Sequence, residues 1–378
     1  MFDLIVRNAR LADETVTDIA VKDRKIAALG KLFDAQADRV LDLENRWYIS
    51  AGWIDSHVHC NPSSPIYFDE PDVVGVDGGV TTVIDAGSTG ADDIDEFRKI
   101  AEKSKTNVRA LLNISRIGLI TQHELADLKD IDPSLAGTMI CKHCGFIVGI
   151  KARMSGSVIG ENGLKPLEIA KQIQKDNKNL PLMVHFGNAP PLIDDIIHLM
   201  GQGDILTHCF HGKPNGILTP EGELRDSMRQ ALDRGVLLDI GHGNASFSLA
   251  VARKAMAKDI FPHTISSDIY CSNRVKGPVY GLAQVMSKFL MLGMPLSQVI
   301  ACVTTHAADM LRMPEKGRLA VGADADFSMF DVSSEPQTVR DSEGETATCT
   351  QNIIPLAAIV AGEVLSTKQG KEIYDFHL

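Results

Sequence analysis

The chain has 378 residues, 44% of them hydrophobic, with 49 acidic against 38 basic side chains for a formal charge of −11. That size and apolar content build a large core, and the acidic balance disfavours nucleic acid or anionic membrane as partners, since both call for a basic surface. Seven scattered cysteines, an N-terminus charged too early for a signal peptide and the lack of any bilayer-length apolar run read as a reduced, cytoplasmic protein.

The first 50 residues hold short alternating segments, 3–12, 17–30 and 38–50, separated by turn residues and spaced like hairpin strands. After them the rhythm changes to strand, loop, helix. Apolar strand-like runs end at Val58 and then span 79–87, 107–115, 146–155, 180–187, 204–212, 235–243 and 263–270. Helix-compatible stretches at 92–104, 165–177 and 221–235 lie between them, and 295–311 reads as one closing helix. Eight strand-helix units with no Gly-rich dinucleotide fingerprint after the first strand predict an α/β protein, a (β/α)8 TIM barrel over 52–315. The segments 316–332 and 353–365 return to short β runs. Residues 1–51 and 316–378 are therefore expected to build one small β-sandwich module from both termini.

In such a barrel the reactive groups gather at the C-terminal strand ends. His57 and His59 close the first strand on one face, about 7 Å apart along the chain. Lys151 ends the fourth strand, His185 the fifth, His208 the sixth and Asp268 the eighth. Each has a plain structural explanation alone, as a strand cap or a satisfied imidazole, but six such groups at one end of five strands point to metal. His123, His198 and His377 fall outside the pattern. The Cys141-Lys-His-Cys144 pair is compatible with a redox or zinc element, but no second pair partners it. Lys151 is the odd member, because an ammonium repels cations; it joins the set once its amine has added CO2 to become a carbamate.

The series HVH, IKAR, VHF, THC, SSDIY and GRLAVGADADF resembles the amidohydrolase superfamily, in the binuclear branch with a carboxylated lysine, over nearly the whole chain. GVTTVIDAGSTG, NISRIGLI, GIKARMS, THCFHGK and DIGHGNASF look most like its dihydroorotase-like amidohydrolase/deacetylase subgroup. The resemblance implies two divalent ions. His57, His59 and Asp268 would hold the more buried one, His185 and His208 the more exposed one, and carboxylated Lys151 would bridge them. Mixed imidazole and carboxylate ligation suits Zn²⁺, with Mn²⁺, Co²⁺ and Fe²⁺ left open by sequence. Attack by a metal-bridging hydroxide on a carbonyl requires the pKa of water to fall from about 15.7 toward about 7, roughly 12 kcal/mol that cations can supply. Asp268 would be the catalytic proton carrier.

Substrate contacts are expected from Arg153, two residues beyond Lys151 on the same strand face, from His242 and Tyr270 in the loops after strands seven and eight, and from His211 and Lys213. Arg153 can equally pair with a neighbouring carboxylate of the protein. Dihydroorotases typically place an arginine two residues after the second histidine of HVH, where this chain has Asn61. The expected activity is hydrolysis of an amide or ester in a small acylated acid, such as an N-acetyl amino acid or O-acetyl hydroxy acid; the alternative is a cyclic amide hydrolase of dihydroorotase or hydantoinase type. A small molecule is the expected partner, and self-association is left open.

Overall fold

In the computed structural model, which describes residues 1–373, the chain opens with five strands. They are β1 (Phe2–Arg10), β2 (Val16–Lys22), β3 (Lys25–Gly30), β4 (Ala37–Asp42) and β5 (Tyr48–Ala51). Seven parallel strands follow: β6 (Trp53–Val58), β7 (Val80–Ala86), β8 (Asn107–Asn113), β9 (Ile147–Met154), β10 (Leu182–Phe186), β11 (Ile205–Thr207) and β12 (Leu237–Asp239). They lie side by side in sequence order, as repeated right-handed strand-helix units dictate. All seven residues of β7 and all six of β6 are buried, because one face meets the barrel interior and the other meets helices. The helix Lys165–Asp176 shows how those helices form: Pro166 pre-sets its first turn, and Leu167, Ala170, Ile173 and Gln174 give it one buried stripe.

Two expectations need correction. The run 263–270 forms no regular strand, although it does close the barrel through bridges from Thr264 to Asp239 and from Ile269 to Val58. Side chains interrupt its ladder. The Asp55 carboxylate accepts the Ser267 N–H at 3.0 Å as well as its hydroxyl, and Asp268 turns left-handed at φ 50°. The second concerns the helix expected over 295–311, which is two helices, Leu296–Cys302 and Thr305–Met310. It breaks where the Val303 carbonyl leaves the helical ladder to accept the Ile54 N–H of β6 at 2.7 Å. The second of these helices seals one end of the barrel, where Ala307 and Met310 pack with Ile54, Ile84, Leu111, Met183 and Ile205.

Beyond the barrel come β13 (Phe327–Ser333), β14 (Gln337–Arg340), β15 (Thr346–Cys349), β16 (Asn352–Val360) and β17 (Glu363–Ser366). β13, β16 and β17 join β1–β5 in one eight-stranded sheet. Ile26 of β3 and Val364 of β17, from its two ends, share a single core with Leu4, Trp47 and Phe327, so the sheet folds over on itself. The β14–β15 hairpin stands apart from that sheet and reaches back to the barrel, where the Ser342 N–H donates to the Phe247 carbonyl at 3.0 Å and Asp341 accepts the Leu249 N–H at 2.9 Å. Residues 374–378, including His377, lie outside the described residues.

Candidate metal centre

At the end of the barrel opposite the Thr305–Met310 seal, one cavity of about 160 Å³ is lined by all six strand-end groups: His57, His59, Lys151, His185, His208 and Asp268. A larger space of about 640 Å³ lies beside Tyr280 and Pro355 and includes none of these residues. His57, His208 and Asp268 form a group able to hold a metal ion, their donor atoms lying within 4.8 Å of one another. Asp268 Oδ1 stands 3.4 Å from His57 Nε2 and 3.3 Å from His59 Nε2. The His-x-His spacing does what strand alternation predicts, turning both rings to the same carboxylate.

The backbone is bent to make this cluster. His208, just past β11, and Asp268 both sit at positive φ, 67° and 50°, conformations that non-glycine residues adopt at a cost of about 1–3 kcal/mol. Room for them comes from glycine. A Cβ on Gly243 would meet Asp268 Oδ2 at 2.4 Å, and one on Gly241 would meet His208 Nδ1 at 2.7 Å.

Each ring is also oriented from behind. His57 Nδ1 meets the Thr207 hydroxyl at 2.9 Å, which donates in turn to Asp239 at 2.7 Å. The His57 Nδ1–H is therefore the donor, and Nε2 is left bare toward the cavity. His59 Nδ1 lies 2.8 Å from the Ser88 hydroxyl, and the His208 Nδ1–H donates to the Gly241 carbonyl at 2.6 Å. His185 uses Nε2 for the Ser155 hydroxyl at 3.1 Å, which leaves Nδ1. Asp239 is the hub of this support, for besides Thr207 its carboxylate accepts the hydroxyls of Ser56, Thr264 and Ser266.

Burial decides most of the electrostatics. It pushes the pKa of His57, His185 and His208 down, keeping the imidazoles neutral with lone pairs free. Burial works to raise the Asp268 carboxyl; what lowers it is positive charge facing it, carried by His57, His59 and His208 when protonated or by a cation that these donors fit. Burial drives the Lys151 amine down to about 7. That amine is poorly provided for: its partners are His57 Nε2 at 3.0 Å and the Met183 sulfur at 3.3 Å. A cluster of imidazoles, those of His57 and His208 with their protons fixed outward, with one carboxylate and an under-satisfied amine, fits cations far better than it fits an ammonium.

The other expected contacts divide. Tyr270 lines the cavity and meets Tyr67 edge to face at 4.9 Å. Arg153 lines it too, but one guanidinium nitrogen donates to both oxygens of buried Glu124 at 3.0 Å. His242 does not reach the cavity. Its ring is fully buried, stacked on Phe247 and held between the Gly243 carbonyl and the Lys288 amine. His211 also faces away and accepts the Lys213 N–H at 3.1 Å, while Lys213 itself lines the cavity. Glu124, Ser88, Ser155 and Asp239 escaped sequence reasoning. Asp239, the polar residue inside the apolar run 235–243, and Ser155, at the end of the run 146–155, carried a signal that could have exposed them.

The amidohydrolase family model matches residues 48–365. A deacetylase of Enterococcus faecalis is 46% identical over 96% of this chain and 99% of that protein, and one of Brucella anthropi is 37% identical over 94% and 89%. A solved structure described as an adenine deaminase superposes with a TM-score of 0.96 at 45% identity, over 97% of this chain and 100% of that one. Another, described as a dihydroorotase, gives 0.88 at 34% identity over 96% and 97%. With strand-end histidines on a closed barrel and a match over most of its length, the chain belongs to the amidohydrolase family.

Proposed function

We propose that the protein is a metal-dependent deacylase that removes an acyl group, acetyl above all, from a small acid. The observation that carries this reading is the end-to-end likeness to a protein named deacetylase, joined to a cavity of about 160 Å³, small enough to select small substrates. In this reading His57, His59 and Asp268 would hold one divalent ion and His185 and His208 a second, with Lys151 joining the donors once its amine carries a carbamate; Zn²⁺ suits the donor set. The ions supply a lowered water pKa and a polarised carbonyl. Asp268 takes the proton of the attacking water at its carboxylate and returns it to the leaving amine or alkoxide. Thr207 and the Gly241 carbonyl keep the ring protons of His57 and His208 turned away from the cavity, and the Ser88 hydroxyl holds Nδ1 of His59. Residues 52–315 would form the catalytic unit, and residues 1–51 and 316–378 its β module. Among the described residues no helix is long and apolar enough to cross a membrane, and all seven cysteines are unpaired, which supports a cytoplasmic location.

The test is kcat/KM of the metal-reconstituted enzyme on acetylated amino and hydroxy acids of both hands, dihydroorotate and adenine. We expect about 10⁴ M⁻¹s⁻¹ or more for an acetylated acid. Comparable turnover of dihydroorotate or adenine, with no acetylated compound near it, overturns the reading.

A further inference from the structure

Apart from Lys151, two cations stand in the cavity wall, Arg153 and Lys213, and the chain treats them differently. Arg153 is neutralised by Glu124, whose carboxylate is buried. Drawing the guanidinium onto a substrate would strand that carboxylate without a counter-charge, an expensive state. Lys213 has no such partner. Among the described residues its amine has neither a hydrogen-bond acceptor nor an ion-pairing carboxylate, although it is half-buried and both burial and the Arg153 charge act against its protonation. Asp268 is the one anion that counters them, and it already faces His57 and His59.

The loop aims this amine. His211 accepts the Lys213 N–H and fixes the start of the segment, and Gly187 leaves the path open. A Cβ on Gly187 would stand 3.3 Å from Lys213 Nζ and 2.9 Å from the Ser155 hydroxyl, so any larger residue there would crowd the amine where it passes His185. On the side of the first and eighth barrel runs, Tyr67 and Tyr270 form a neutral aromatic wall, with Tyr67 tilted against His59 at 5.5 Å. The cavity thus has one uncommitted positive charge beside the fifth and sixth strands and an uncharged aromatic surface beside the first.

We propose that Lys213 is the specificity residue that receives the substrate's carboxylate. This rests on the deacylase reading above. The acyl group then lies toward the histidine cluster and the remaining side chain against Tyr67 and Tyr270. Arg153 serves to hold Glu124 and shape the wall.

The test compares wild type, Lys213→Met and Lys213→Arg, each metal-reconstituted, in two ways. Calorimetric titration with lactate and with lactamide reads binding without turnover. The wild type should bind lactate about 10- to 100-fold more tightly than Lys213→Met does, the range expected for a hydrogen bond to a charged group, with lactamide nearly indifferent to the change. Lys213→Arg should recover part of the loss. Kinetics on O-acetyl lactate and its amide should show the same loss, chiefly in KM and confined to the acid. Equal lactate affinity in wild type and Lys213→Met, or no lactate binding to either, overturns the proposal. If lactate binding follows Lys213 while no acetylated compound is hydrolysed, the deacylase reading fails and the carboxylate site stands.

Discussion

Two lysines of this protein are almost wholly shut away from water, Lys151 at 1% exposure and Lys288 at 0%, and burial drives both amines down to about 7. Their neighbours differ. Lys288, on the helix Leu282–Met291, has three acceptors: His242 Nε2 at 2.7 Å, the Arg340 carbonyl at 2.8 Å and the Pro278 carbonyl at 3.3 Å. Lys151 has one imidazole nitrogen and a thioether sulfur, a weak acceptor, and it faces a cavity in which histidines outnumber carboxylates. A buried ammonium is tolerated only where acceptors surround it. Lys288 therefore sits in a place built for a protonated lysine, whereas Lys151 sits in one that leaves an ammonium under-satisfied. The first pins the loop behind the cavity to the β14–β15 hairpin; the second faces the cavity and, in the proposed function, takes part in the chemistry.

Replacing each lysine by methionine keeps the aliphatic stem and removes the amine, and the two variants should fail in opposite ways. Lys151→Met should lose about 10³-fold or more in kcat/KM, a barrier increase of about 4 kcal/mol, in the range a metal-held reaction centre supplies. Its denaturation midpoint in the absence of metal should stay at or above that of wild type, since a poorly satisfied amine has gone. Elemental analysis after reconstitution should find fewer than two ions per chain. Two retained ions with full turnover would remove Lys151 from the centre.

Lys288→Met should do the reverse. It leaves His242 Nε2 and two carbonyls without their donor, a loss of about 2–4 kcal/mol, read as a lower urea midpoint at unchanged slope. Metal content should match wild type. A variant as stable as wild type but depleted in metal would place Lys288 in the reaction centre and erase the contrast between the two lysines.

That contrast was invisible in the sequence, where Lys288 is one more helical residue. What the sequence did carry was the strand-end set. Apolar runs are legible because β7 and its neighbours are buried on both faces, and His57, Lys151, His185, His208 and Asp268 stand out as polar ends of such runs. The irregular eighth run was not legible, because its ladder is broken by side-chain bonds from Asp55, a residue far away in sequence. Arg153 and Lys213 looked alike as cations, and only the contact with Glu124, from a loop without periodicity, separates them. His242 looked like a pocket residue for the same reason: sequence placed it after a strand but could not show which way the ring turns.

The smallest effect tests the support behind the histidines rather than the lysines themselves. Thr207 carries the link from the His57 Nδ1–H to Asp239, and Thr207→Val keeps the shape while deleting the hydroxyl. Asp239 would retain the hydroxyls of Ser56, Thr264 and Ser266, so folding should suffer by only about 1 kcal/mol. His57 would lose the acceptor that fixes its tautomer, and its Nε2 would no longer be bare by construction. Supports of this kind are worth about 10- to 100-fold in metal affinity. Chelator competition should show that loss, with turnover recovered once metal is in excess, because the ligands themselves are intact. If metal affinity were untouched, the ring would be held by β6 and Asp268 alone, and the pre-set tautomer would be no part of what makes this end of the barrel a metal centre.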